Sequence, residues 1–321
     1  MVTLVKTRRS MRSKAETSGP STPHDDQLVA TTNTHKDSDK SLRILDIATS
    51  CFPPIPQGAE LSSLQKLVLI PRVEPGLHIP FARAWAPELA NHTVTPEDLL
   101  ACIDNLNTLI RPPIAGRAAL VAAFAVGFIP YNGTDGIAAA LELAVSIGMA
   151  IVNHRRCKKY SSIMNEKYFH PRKLHVVIIS SKRIMKMFNH DKKETLLAPL
   201  TEETLDLSSQ ERCIKYMSRW ACELSFDDLP PPSGRTTVLA RMAAWEVKHK
   251  IAKAEKQAKR SRKLAWKRHL KGKKLKDCWL ERGRAKSLDW ILIQNLDEWE
   301  AARAEKEAKK AAKNEKKQSS R

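Results

Sequence analysis

Residues 114–130, IAGRAALVAAFAVGFIP, and residues 137–152, IAAALELAVSIGMAIV, are two apolar segments rich in small side chains, joined by YNGTDG at 131–136. Each carries a stripe at helical spacing: Ala119, Ala123 and Gly127 in the first, Ala140, Ala144 and Gly148 in the second. Residues four apart share a helix face, so the two stripes let a pair of backbones approach closely. The spacing predicts a helical hairpin at the hydrophobic centre of a mainly α protein. A membrane hairpin is the other reading, since Arg111, Arg117 and Arg155–Lys159 sit at its two outer ends and none in the turn. Length decides for a globular core: the segments have 17 and 16 residues, against about 20 for a bilayer crossing. Arg117 and Glu142 would also lie inside the spans.

Outward from the hairpin, Thr95-Pro96-Glu97-Asp98 is a strong helix start, with a hydroxyl N-cap, proline at the first position and two acids at the positive end. Leu99, Ile103, Leu106 and Ile110 then fall on one face before Pro112-Pro113. The second hairpin helix is expected to run on through Arg155–Lys159 towards Phe169. His175–Ser180 is β-branched and short, which predicts a strand, with Ser180 or Ser181 capping a helix over 182–188. A helix is expected over 209–220. Trp290–Ile293 is a second strand candidate, and the two strands are expected to pair as a small two-stranded sheet.

Charge and composition divide the chain. Residues 1–40 are polar, lack apolar clustering and read as a disordered tail with no secretory signal. Residues 41–230 read as the helical domain, 231–235 as a Pro-rich linker, 236–297 as a basic helix and strand, and 298–321 as a charged tail with an Ala/Glu/Lys helix over 298–317. From Lys248 to Asp277 there are fourteen Lys or Arg against two acids, in a chain of 321 residues and net charge +20. Such a block points to a polyanion, either an anionic membrane surface or nucleic acid. Lys256, Lys259, Arg260, Arg262, Lys263, Lys267, Arg268, Lys271, Lys273 and Lys274 would supply the charge, with Trp266 and Trp279 as interface anchors. Lys259–Lys263 could serve a nuclear nucleic-acid binder as a localisation signal. Between Ile251 and Leu264 no large aliphatic residue occurs, so this stretch is expected to stay off any core.

Residues 83–90 (RAWAPELA), Phe81, residues 103–107 (IDNLN), the hairpin, residues 165–175 (NEKYFHPRKLH) and residues 288–293 (LDWILI) resemble, in that order, a family of uncharacterised fungal proteins. The resemblance covers about two thirds of the chain. It implies an intracellular protein and supplies no catalytic residues. It departs at Lys173, where glycine is usual.

No reaction can be read from the residues. There is no GxGxxG, no GK[ST] loop and no GxSxG elbow. His154 with Cys157, and His170 with His175, lack a second pair at zinc-ligand spacing, so no metal and no cofactor is expected. Glu97, Asp98 and Asp104 are explained by the helix dipole rather than acid–base work. Cys157 beside Arg156 and Lys158 could carry a lowered pKa, but no base accompanies it. Six dispersed cysteines without a CxxC pair suit a reducing compartment. The expectation is a non-enzymatic, intracellular interaction protein.

Overall fold

A computed structural model of the chain describes residues 53–56, 58, 61–76, 78–110, 134–191, 194–227, 229–230 and 238–318. It is mainly helical around a small antiparallel sheet, and residues 48–321 form one compact unit. Strand β1 (Val68–Pro71) is followed by a 3-10 turn at Pro87–His92, helix α1 (Pro96–Leu109) and helix α2 (Thr134–Met164). A π-helical turn, Asn165–Phe169, extends α2 into β2 (Leu174–Ser180). Helices α3 (Ser181–Met187), α4 (Ser209–Met217), α5 (Val238–His269) and α6 (Trp279–Ser287) precede β3 (Asp289–Asn295) and α7 (Leu296–Gln318).

The expected pairing of the two strands is present, with Val176 opposite Ile293 and Ile178 opposite Ile291. The sheet has a third strand, however. β1 pairs with the other edge of β3, Val68 opposite Ile293, in the order β1–β3–β2. Pro71 fits at the end of β1 because an edge strand tolerates the missing donor. The boundary expected at residue 230 does not separate the sheet: β3 bonds to both earlier strands, and among the described residues neither has another strand as partner.

Alternation along β3 builds two cores. Trp290 and Leu292 join Leu69, Ile184, Cys213, Met217 and Ala285, from β1, α3, α4 and α6. Ile291 and Ile293 face Leu99, Ile103, Leu106, Tyr160, Met164 and Phe169, from α1 and the end of α2. The Trp290 indole, wholly buried, donates to Ser181 Oγ at 2.8 Å, which satisfies its polar edge. Helix α1 begins as expected, with Thr95 Oγ1 accepting from the Asp98 amide at 3.2 Å. Asp98 and Asp104 also take outside partners, the Tyr168 hydroxyl at 2.7 Å and Arg83 at 3.1 Å.

Three asparagines fasten the backbone of segments distant in the chain. Asn295 accepts from the Leu64 amide (2.8 Å) and donates to its carbonyl (2.9 Å). Asn165 does the same at Val176, with both bonds 2.8 Å, and Asn107 at Phe81, with 2.7 and 3.1 Å. Each carboxamide copies one residue of a β-ladder and uses up backbone groups that burial would otherwise leave unpaired.

The hairpin expectation is only partly covered. Residues 111–133, with Ala119, Ala123 and Gly127, lie outside the described residues. The second arm is helical and runs past Val152 as expected; Ala140 and Ala144 lie on it, and Gly148 is exposed. Lys173 adopts φ 57°, the left-handed region that glycine enters without strain. Its carbonyl accepts from the Leu296 amide at 2.9 Å and ties the start of α7 to β2.

The root of α7 rests on an aromatic stack. Trp299 lies on His175 with ring centres 3.8 Å apart, and His175 Nδ1 is 3.0 Å from His170 Nε2. Burial, then the His170 ring, push His175 down to about 4.

Two outcomes follow from these contacts. Asn295→Ala leaves the Leu64 amide and carbonyl unpaired and should cost about 2–3 kcal/mol in urea unfolding. An unfolded His175 takes its proton near 6.5 and the folded one at about 4, so stability is complete above 6.5 and declines as pH falls through that window. The loss should reach up to about 3 kcal/mol. It should be smaller in His175→Phe, which keeps a ring against Trp299.

Candidate polyanion-binding surface

Helix α5 is held to the domain by one face and open on the other. The inward face carries Ala258 and Arg262, which are 4% and 1% exposed. This corrects two expectations: the stretch between Ile251 and Leu264 does pack, and Arg262 is not available to a polyanion. Its guanidinium contacts Glu281 Oε1 at 2.8 Å, Glu255 Oε1 at 2.5 Å and the Leu205 carbonyl at 3.2 Å. Arg212 of α4, also fully buried, pairs with Glu281 at 3.0 Å and with Asp277 at 2.7 Å. Ser209 donates its hydroxyl to Glu281 and its amide to Glu255. One buried carboxylate thus sits between two buried guanidinium groups and joins α4, α5 and α6. Glu255 and Glu281 first offset the desolvation of Arg262 and then hold its pKa above the ordinary arginine value.

The remaining cations of the set are exposed: Lys256, Lys259, Arg260, Lys263, Lys267, Arg268, Lys271, Lys273 and Lys274. Lys256, Arg260, Lys263 and Lys267 are spaced by four, three and four, and so form a row along the outer face. The row extends over about 16 Å at 1.5 Å per residue. Gly272, at φ 78°, turns the chain beyond the helix and places Lys271, Lys273 and Lys274 on the exit. Two lysines of the set meet an acid: Lys259 lies 3.0 Å and Lys263 3.7 Å from Asp206 Oδ1. The others make no ion pair among the described residues.

The two expected anchors differ. Trp279 opens α6 with 77% of its surface exposed. Trp266 is half-buried, with its ring 5.5 Å from that of His269, and is not a free anchor. Leu264 and Leu270, 52% and 72% exposed, stand among the cations instead. Nothing in the sequence marks either leucine, because it does not show which side of α5 meets the domain.

No other feature of the described residues makes a better site. They include no cluster of three or more His, Cys, Asp or Glu suited to a metal ion. Cys157 is buried and its thiol is pushed up by that burial in spite of Arg72 and Arg156, which reverses the lowered value its charged neighbours suggested. A groove of about 1020 Å³ between β1 and α4 includes Cys222 in its lining. That thiol donates to the Lys66 carbonyl at 3.2 Å and is pushed up to about 11 by burial, conditions adverse to a thiolate nucleophile. Among the described residues no helix is long and apolar enough to cross a membrane.

Comparison with family models, curated proteins and solved structures finds no match for this chain.

Removing the shared carboxylate tests how α5 is attached. Glu281→Ala leaves two guanidinium groups buried against each other and should cost about 3–5 kcal/mol in thermal or urea unfolding. Glu211→Ala, in the exposed capping box of α4, should cost only about 1 kcal/mol.

Proposed function

We propose that this is a non-enzymatic interaction protein whose exposed α5 face and Lys-rich exit dock on an anionic membrane surface. The observation that carries this reading is the company the cations keep. Leu264, Leu270 and Trp279 expose large apolar side chains within the same stretch, 256–279, that holds Lys256, Arg260, Lys267, Arg268, Lys271, Lys273 and Lys274. Cations contribute about 1 kcal/mol each near an acidic bilayer surface. Apolar side chains and an indole suit the headgroup boundary, a layer that water alone does not offer them. Nucleic acid would use the same lysines, but the isolated leucines would gain little from phosphate.

The test is co-sedimentation of the full chain with vesicles of phosphatidylcholine and phosphatidylserine across a salt series. Lys256→Glu, Arg260→Glu and Lys267→Glu together should abolish binding; Arg262 is left alone because it is buried. Leu270→Ala with Trp279→Ala should retain binding at low salt and lose it at higher salt. Undiminished binding by the triple variant would overturn the reading. So would failure to bind vesicles combined with tight, salt-sensitive binding to single-stranded RNA, which would move the assignment to nucleic acid.

A further inference from the structure

The basic face carries its own anion. Asp206 lies in the connection before α4, and one oxygen of its carboxylate is 3.0 Å from Lys259 Nζ and 3.7 Å from Lys263 Nζ. These lysines are one turn apart on α5, so an anion bridging them would stand where this carboxylate stands. We propose that Asp206 is an intramolecular competitor for the Lys259–Lys263 pair, an autoinhibitory contact that weakens docking until an external phosphate or carboxylate displaces it. The inference rests on the membrane-docking reading above.

Three observations single out this contact. Asp206 is exposed, with 70% of its side chain open to solvent, so leaving the lysines costs it little desolvation. Glu255, Glu281 and Asp277, by contrast, are engaged inwards: Glu255 and Glu281 on Arg262, and Asp277 on Arg212. They cannot let go without baring a buried guanidinium. Finally, the hydrogen bond from Lys259, with the charges of both lysines, holds the Asp206 carboxyl below its ordinary range, so it stays ionised at neutral pH. The result is a latch held by surface electrostatics, open to exchange for a multivalent anion and weakened by salt in the same way as the docking it opposes.

The experiment measures binding of the full chain to phosphatidylcholine–phosphatidylserine vesicles at near-physiological salt. It compares wild type, Asp206→Asn, Asp206→Glu and Glu203→Gln. Glu203 pairs with Lys215 of α4 at 3.2 Å, whereas Lys259 and Lys263 meet Asp206, so its substitution makes the same change in net charge without freeing the pair. Asp206→Asn should bind about fivefold more tightly than wild type, the order expected when one surface charge near the bilayer is released. Asp206→Glu should stay near wild type, and Glu203→Gln should gain less than twofold. Adding Lys259→Ala and Lys263→Ala to Asp206→Asn should remove the gain. If Asp206→Asn binds no more tightly than Glu203→Gln, the latch is refuted while membrane docking stands. If neither wild type nor Asp206→Asn binds vesicles, both readings fall together. All variants lie at exposed positions, and their circular dichroism should match that of the wild type.

Discussion

The structure depends on a late segment of the chain becoming its central strand. β3, residues 289–295, carries strands on both edges and supplies side chains to both cores. The antiparallel ladder and the alternation of Trp290 and Leu292 against Ile291 and Ile293 place β1 and β2 on its edges and a core on each of its faces. Helices α5 and α6 lie between β2 and β3 in the chain, so they are drawn back over the domain and not left as an appendage. A basic segment that looks like a tail in the sequence is, by this constraint, a wall of the fold.

How that wall is attached explains its two faces. Alanine and arginine replace the aliphatic stripe that an amphipathic helix commonly turns inward, and the cost of burying Arg262 is offset by Glu255, Glu281 and Ser209. Such a cluster stabilises less than an apolar core of similar volume but is demanding in geometry, since each member is expensive to leave alone. It holds the helix at one rotation about its axis. Lys256, Arg260, Lys263 and Lys267 consequently share the solvent side, and Asp206 is brought to Lys259 and Lys263.

Local chemistry was the legible part of the fold. Thr95, Pro96, Glu97 and Asp98 announce α1 because capping is settled within four residues, and β2 and β3 are visible as short β-branched or apolar runs between breakers. β1 is not legible as a strand: four apolar residues ending in proline have no period to read, and only the edge of β3 makes them one. The three asparagines were equally silent, because Asn295 finds Leu64 and Asn107 finds Phe81 through tertiary placement. Of the candidate surface, the density of cations was plain. Which cation was buried was not, since Arg262 is surrounded in sequence by arginines and lysines that look the same.

The sequence by itself determined the helical character, the capped start of α1, the pairing of two β-branched segments and an excess of positive charge over residues 248–277. Those properties depend on neighbours a few residues away or on composition. Only the tertiary structure decided that β3 is central, that Arg262 points inward to Glu281, that Leu264 and Leu270 stand outside, and that Asp206 meets Lys259. Each of these joins residues far apart in the chain, or turns on how one helix is rotated. That rotation is set by whether a buried charge finds its partner, a condition that spacing alone does not encode.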